Sequence, residues 1–196
     1  MGLFSTGGAW PVVIDDGDLA LRPLRNRDRS TWEEVRELNR EWLEPWEATR
    51  PEIEAGEPLP SYFQMISRYR SEAKALRSIT LGLWYLDGGS WRFIGQITLG
   101  GIVMGAYRGA HIGYWIDQRY ANRGITTRAV NLIAEFGFHQ LHLHRIEINL
   151  RPENAASTRV AEKAGFIFEG FHPRYLHING GWRDHNTYVK ENPAIR

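Results

Sequence analysis

The residues with the most chemical reach lie between positions 111 and 130, in His111-Ile-Gly-Tyr-Trp-Ile-Asp-Gln-Arg-Tyr-Ala-Asn-Arg-Gly-Ile-Thr-Thr-Arg-Ala-Val130. The apolar run up to Ile116 predicts a strand, and a short polar loop follows it. Beyond Gly124, residues Ile125, Ala129, Leu132, Ile133 and Phe136 recur at helical spacing. The first turn of such a helix carries unpaired amides and a partial positive charge of roughly half a unit. Gly124 lets an anion approach the backbone, Arg123 adds a fixed charge, and the Thr126 and Thr127 hydroxyls can donate. That set suits a pyrophosphate, although Arg-Gly taken alone is more often an ordinary loop whose glycine eases helix entry. No Gly-Lys-Ser/Thr follows, so it is not a P-loop, and the three-glycine spacing of a dinucleotide fingerprint is missing. Further on, Asn154 and Ser157 stand three apart, which places both on one face of a helix's first turn. Asn154 reads there as a plain N-cap or as a ligand contact.

Composition narrows the field. The chain has 196 residues, a net charge of +1, 42% hydrophobic residues and no cysteine. Without cysteine there is no disulfide, no thiolate-ligated zinc and no thiol nucleophile, which fits a reducing compartment and a cytoplasmic location. A near-neutral charge argues against bulk nucleic-acid affinity. No run approaches the roughly 20 apolar residues of a membrane span. Met1-Gly2…Thr6 fits a loose myristoylation pattern, weighed far below a plain N-terminal extension. His139, His142 and His144 have no carboxylate at useful spacing, so no metal is expected. The near-zero charge hides an asymmetry: between Glu33 and Glu57 nine Glu face three Arg, a net of −6 that leaves +7 on the remainder. Such a region is either a solvated helix face or an attractor for a cation.

These residues need elements to position them. A strand over 19–24 ends near Pro23, and the capping box Ser30…Glu33 opens a helix carrying Trp32, Val35, Leu38 and Trp42. Prolines 45, 51, 58 and 60 break a long loop over 45–60, readable as a substrate lid or a dimer contact. A second box, Ser61…Gln64, opens another helix. Strands follow over 78–86, 91–99 and 108–116, then the helix from Gly124, a strand over 145–150 and a helix over 154–164 closed by Gly165. Short strands over 166–171 and 187–190 finish the chain. The order predicts one α+β domain with a central mixed sheet.

Several stretches together resemble the GCN5-related N-acetyltransferases (GNAT). Ala121-Asn122-Arg123-Gly124-Ile125-Thr126 is similar to motif A, with Gly124 matching and Ala121 and Thr126 departing. Ile112-Gly-Tyr-Trp-Ile116 resembles the strand before it. Arg151-Pro-Glu-Asn-Ala-Ala-Ser157…Ala164-Gly-Phe166 resembles the N-x-x-S helix and its A-x-x-x-G-F close. Glu169-Gly170…Asn179-Gly-Gly-Trp-Arg-Asp-His185 resembles the signature of the RimJ/RimL subgroup, which acetylates ribosomal-protein N-termini. The matches cover residues 108–190; the first hundred match in element order alone.

The resemblance implies a mostly antiparallel sheet of about seven strands flanked by four helices, with a V-shaped splay between the fourth and fifth strands. It implies a single domain over 1–196: an extension over 1–17, an acceptor-side half over 18–104 and an acetyl-CoA-binding half over 105–192. The cosubstrate is acetyl-CoA, held by Tyr114, Trp115, Ile116, Arg123, Gly124, Ile125, Thr126, Thr127, Asn154 and Ser157. Ser157 faces the leaving thiolate, and Tyr175 either donates to it or packs. The general base is open: His111 stands where many members carry a Glu, and an imidazole with a pKa of roughly 6.5 suits the task. The same His111 also reads as a solvated strand-edge residue, and Glu169 fits the role worse. The implied acceptor is the N-terminal amine of a protein, ribosomal proteins included, with Glu41, Glu44 and Glu47 attracting a basic tail. The alternatives are a small amine, or a CoA-binding module without catalysis. The state is monomer or homodimer, with no direct nucleic-acid or membrane partner.

Overall fold

The computed structural model describes residues 10–51 and 59–195. The Met1-Gly2…Thr6 pattern, the acidic residues Glu52, Glu54 and Glu57, and the 52–58 part of the long loop fall outside the described residues. In chain order the elements are β1 (Ile14–Asp16), β2 (Leu19–Arg22), α1 (Arg29–Leu38), α2 (Arg40–Leu43), α3 (Tyr62–Lys74), β3 (Ile79–Asp87) and β4 (Ser90–Val103). Then follow β5 (Gly109–Ile116), α4 (Ile125–Gln140), β6 (Arg145–Leu150), α5 (Ala155–Lys163), β7 (Ile167–Ile178) and β8 (Gly181–Glu191). All strands share one sheet, in the order β1-β2-β3-β4-β5-β6-β8-β7. Among the described strands only the β5–β6 pair is parallel. The expected α+β class with a mixed, mostly antiparallel sheet is what the chain forms.

The counts differ from the expected seven strands and four helices, for local reasons. Gly17, at φ 67, turns the chain back on itself and adds β1 at the sheet edge. Pro23 lacks an N–H and ends β2 after Arg22. Asn39 breaks the predicted first helix in two. Its buried side chain donates to the Val35 carbonyl at 2.9 Å and accepts the Gln118 N–H at 2.8 Å. Leu38, placed by periodicity on the inner face, is therefore 61% exposed. The Ser61…Gln64 box forms, but the Ser30…Glu33 box does not. The helix begins two residues earlier, behind buried Asp28, which accepts the Arg25 N–H at 2.8 Å and pairs with Arg22 at 2.7 Å. Glu33 turns to Arg29 instead. The last two strands run far beyond their predicted ends because Asn179 and Gly180, at φ 44 and 72, make a tight two-residue turn between Ile178 and Gly181. Glu169-Gly170 lies within β7 at a bulge.

Two apolar clusters cover opposite faces of the sheet. The larger packs α4 and α5 onto it through Ile133, Ala134 and Ala161, among strand residues such as Leu81, Leu99 and Ile146. The smaller gathers Val35, Tyr62, Ile66, Trp84 and Phe93 beneath α1 and α3. Ile125, Ala129, Val130 and Ile133 are all at most 2% exposed. Full burial of each large side chain contributes about 1.5–3 kcal/mol, so α4 is anchored by its apolar stripe and its polar first turn need not serve the core.

Candidate active site

The parallel pair β5–β6 is joined only at Gly109↔Arg145, Ala110↔Ile146 and His111↔Glu147. Beyond that point β5 stays with β4 as far as Ile116↔Gly95, while β6 stays with β8 as far as Leu150↔Asn186. The two strands thus part after His111, between the fourth and fifth strands of the expected order, β1 being the added one. Each arm is pinned to its own neighbour. A Cβ on Gly95 would stand 2.2 Å from the Trp115 carbonyl oxygen, so β4 holds β5 at a distance only glycine permits. On the other arm, Thr187 donates to Asn149 Oδ1 at 2.5 Å. The parting leaves residues 112–116 of β5 outside any ladder on their β6 side.

The start of α4 lies just beyond β5. Asn122 and Gly124 both take left-handed backbone, at φ 61 and 77, and no side chain caps the helix. A Cβ on Gly124 would meet nothing among the described residues within 4 Å, so they leave open space over the first turn. Ile125 and Thr126 are buried, which leaves their backbone amides as the groups available there. Thr127 is half-buried. Arg128 is committed to Asp16 at 2.8 Å and Asp18 at 2.7 Å, tying α4 to the β1–β2 hairpin. Arg123 lies 5.0 Å over the Tyr120 ring and has no carboxylate partner among the described residues. An uncapped first turn, open space and one spare guanidinium are what a diphosphate needs, so these residues fit the cosubstrate's polar end.

Alternation along β5 sends neighbouring side chains to opposite faces. Tyr114 points toward α5, and its hydroxyl lies 2.7 Å from Ser157 Oγ. Burial pushes its phenol up to about 12, against a smaller opposing effect of the Ser157 contact. Asn154 caps α5 by accepting the Ser157 N–H at 3.0 Å, which is the N-cap reading. Trp115 faces the other side, with its ring 5.7 Å from Phe93 and 5.1 Å from the Arg36 guanidinium. The Ile116 carbonyl accepts from Trp42 Nε1 at 3.2 Å. Sequence reasoning placed Tyr114 and Ser157 in the site separately but missed their contact, because 43 residues separate them.

The segment 39–49 forms a strap across the mouth of the V. At one end it is tied to the β5 arm by Asn39 on Gln118 and Trp42 on Ile116. At the other, Arg151, just past β6, donates to the Pro45 carbonyl at 2.9 Å. Ala48 bridges to Ile178, Thr49 N–H donates to the His177 carbonyl, and Asn179 N–H donates to the Glu47 carbonyl, both at 2.9 Å. Glu47, expected to attract a cation, is paired with Arg36. Glu41 and Glu44 are exposed. The early part of the 45–60 loop is therefore strapped across the site.

His111 stands where β5 and β6 part, its ring laid on the backbone of Gly100 and Gly101. A Cβ on either glycine would come within 2.9 Å of the imidazole. Burial of that face lowers its pKa, and Glu147 opposes the shift. Glu147 accepts from Tyr107 at 3.0 Å and Arg145 at 2.9 Å; these outweigh its burial and keep its carboxyl below the usual range. Glu169 is held by Arg145. Tyr175 is exposed and stacks 5.1 Å from His172 and 5.8 Å from His185. His185, missed as a candidate, is 2% exposed. Its Nδ1 lies 2.9 Å from the Arg183 carbonyl, which only accepts, so the proton sits on Nδ1 and Nε2 is an acceptor when the ring is neutral. Burial lowers its pKa too. Its signal was the Asp-His pair in the C-terminal signature. Among the described residues no three His, Cys, Asp or Glu side chains gather as a metal site, and no helix is long and apolar enough to cross a membrane.

A sheet parted after His111, with an uncapped glycine-led helix at its edge, defines an acyltransferase site of the GNAT kind, and residues 18–167 match the family described as an acetyltransferase (GNAT) domain. The chain belongs to that family and is an N-acetyltransferase. It is similar to the ribosomal protein uS5-alanine N-acetyltransferase of Escherichia coli (strain K12), at 30% identity over 89% of this chain and 88% of that one. Over 52% of its length, and 56% of the relative's, it is 45% identical to the probable N-acetyltransferase YjcK of Bacillus subtilis (strain 168). Among solved structures, RimJ of Mycobacterium smegmatis in complex with CoA-disulfide superposes with a TM-score of 0.82 and 32% identity, covering 95% of this chain and 90% of that one.

Proposed function

We propose that this protein transfers an acetyl group from acetyl-CoA to the N-terminal amine of a protein, with a ribosomal protein as the first candidate. The supporting observation is the pairing of an open first turn of α4 with a β5 edge left unpaired where the strands part. The diphosphate would lie on the amides from Gly124 to Thr127, with Arg123 adding charge. The pantetheine arm would run along residues 114–116 toward Asn154 and Ser157. The similar RimJ structure, solved with a CoA-disulfide, supports that ligand class. The uS5-alanine acetyltransferase supports the acceptor class.

A strap tied to both arms favours an acceptor that enters end-on, as a chain terminus does. Exposed Glu41 and Glu44 at its start favour a basic tail. Within one domain, residues 18–104 supply the acceptor side and 105–192 the acetyl-CoA side. The amine must lose a proton before attack, and His111 at the apex of the V is the group proposed to take it. The new C–N bond then forms as the C–S bond breaks, its electron pair staying on sulfur. Ser157 donates a hydrogen bond to that sulfur, and Tyr175 packs against the histidines behind it. Holding both substrates in reach supplies much of the rate.

The test is intact-mass analysis of ribosomal proteins and small amines incubated together with the enzyme and acetyl-CoA. A gain of one acetyl group at a protein N-terminus is the expected result. Acetylation of a polyamine or amino acid in preference overturns the acceptor. No thiol release with any amine, despite tight CoA binding, makes the protein a CoA-binding module.

A further inference from the structure

We propose that Tyr114 is a positioning residue: its phenol donates to Ser157 Oγ and leaves the serine's own proton to point at the departing sulfur. The inference rests on the acetyl-transfer reading above and assigns a role no motif gives.

The two hydroxyl oxygens are 2.7 Å apart, so one proton lies between them. If Ser157 supplied it, the serine would have none left for a leaving group. Three observations give the donor role to Tyr114. A phenol is the more acidic hydroxyl and the better donor. The other acceptor near the phenol, the Ser157 carbonyl, is more distant at 3.4 Å. The ring packs against the large apolar cluster, which fixes it beside α5. A phenol is protonated throughout the neutral range, and burial moves its titration further from it. Ser157 is held from a second side, since Asn154 accepts its N–H at 3.0 Å. The serine's backbone and its oxygen are thus both fixed, and its proton alone is free to turn.

The balance of the step is simple. The amine's lone pair forms the C–N bond, the C–S pair goes to sulfur, and the proton lost by the amine ends on the thiol. Ser157 lends a hydrogen bond and keeps its proton, because an alkoxide is far more basic than a thiolate. Tyr114 changes no bond; it sets the direction of the serine donor before the sulfur carries charge.

The experiment is a double-mutant cycle of Tyr114→Phe and Ser157→Ala, following thiol release with a basic N-terminal peptide, with CoA affinity and Tm measured for each protein. Phe keeps the ring and removes the donor. Tyr114→Phe should lower kcat roughly tenfold, with the KM for acetyl-CoA within about twofold and the Tm within a few degrees. Ser157→Ala should lower kcat at least as far, and adding Tyr114→Phe to it should cost nothing more. Equal losses from Tyr114→Phe in both backgrounds would overturn the proposal, as would a loss confined to KM. A wild-type protein that releases no thiol with any amine defeats the acetyl-transfer reading itself. An active wild type beside an unaffected Tyr114→Phe defeats only the positioning role.

Discussion

The two sides of the V are built from different material. On the β5–α4 side most of the available polarity is backbone, an uncapped first turn and a strand edge without a ladder, with the Arg123 guanidinium beside it. On the strap and β6 side it is side chain, and most of it is already paired. Arg36 holds Glu47, Arg145 holds Glu147 and Glu169, and Arg151 holds Pro45. Backbone polarity suits a ligand that is the same in every turnover. Side-chain networks can differ from one relative to the next while the sheet stays the same, which is why the proposed acceptor contacts are placed on that side.

That contrast can be broken most forcefully at Gly95. Gly95→Ala would push a Cβ into the Trp115 carbonyl and should cost roughly 2–3 kcal/mol, a fall in Tm of about 5–10 °C. Thermal unfolding measures it, and an unchanged Tm would show that β5 is not held by that contact. Gly124→Val is the selective counterpart, since its Cβ meets no atom of the described residues within 4 Å. The left-handed backbone costs about 1–2 kcal/mol. The KM for acetyl-CoA should rise more than about tenfold while that for the peptide stays put. A shared rise would erase the distinction between the two sides.

The proposed acceptor side is sharpened by its glutamates. Replacing Glu41 and Glu44 together with Gln should raise the KM for a basic peptide by roughly three- to fivefold at low salt, and not at 1 M salt, where the Debye length is about 3 Å. Acetyl-CoA binding should not change. Glu47→Gln should act differently, by releasing Arg36 rather than by removing a free charge. Kinetics at two salt concentrations separate these effects.

Two predictions concern pH. His111→Ala should remove the acidic limb of the kcat/KM profile; a limb that survives means the base lies elsewhere, with His185 next to be tested. Burial lowers the pKa of both His111 and His185, so the folded state disfavours their protonation. The unfolded chain takes up protons first, near pH 6.5, and stability should be lost as pH falls from there through the lower folded values. The smallest effect expected is that double replacement of these histidines by Gln flattens the decline in Tm between pH 7 and pH 5.

Much of the proposed acetyl-CoA side was legible because its parts are contiguous. The strand to Ile116, the turn at Gly124, the N-cap at Asn154 and the left-handed stop at Gly165 each depend on neighbours within one turn. Other features were hidden by competition. Ser30…Glu33 satisfies the capping pattern, yet Asp28 won because burial beside Arg22 gave it a stronger partner. Tryptophan type alone does not decide burial: Trp84 lies in the core at 8% exposure, whereas Trp91, at the β3–β4 turn, is 44% exposed. The lengths of β7 and β8 follow from Asn179-Gly180, a signal present in the sequence whose strands carry large apolar residues on solvent faces.

By itself, then, the order of residues determined the class of the sheet, the helix that opens on glycine and the absence of thiol chemistry. Those depend on local backbone preference, hydrophobic period and composition. Tertiary structure decided where β5 leaves β6, that a phenol meets a serine 43 residues away, and that residues 39–49 cross the mouth of the V. Such contacts form when distant segments pack, and their partners are fixed by shape and burial in the assembled sheet rather than by spacing along the chain.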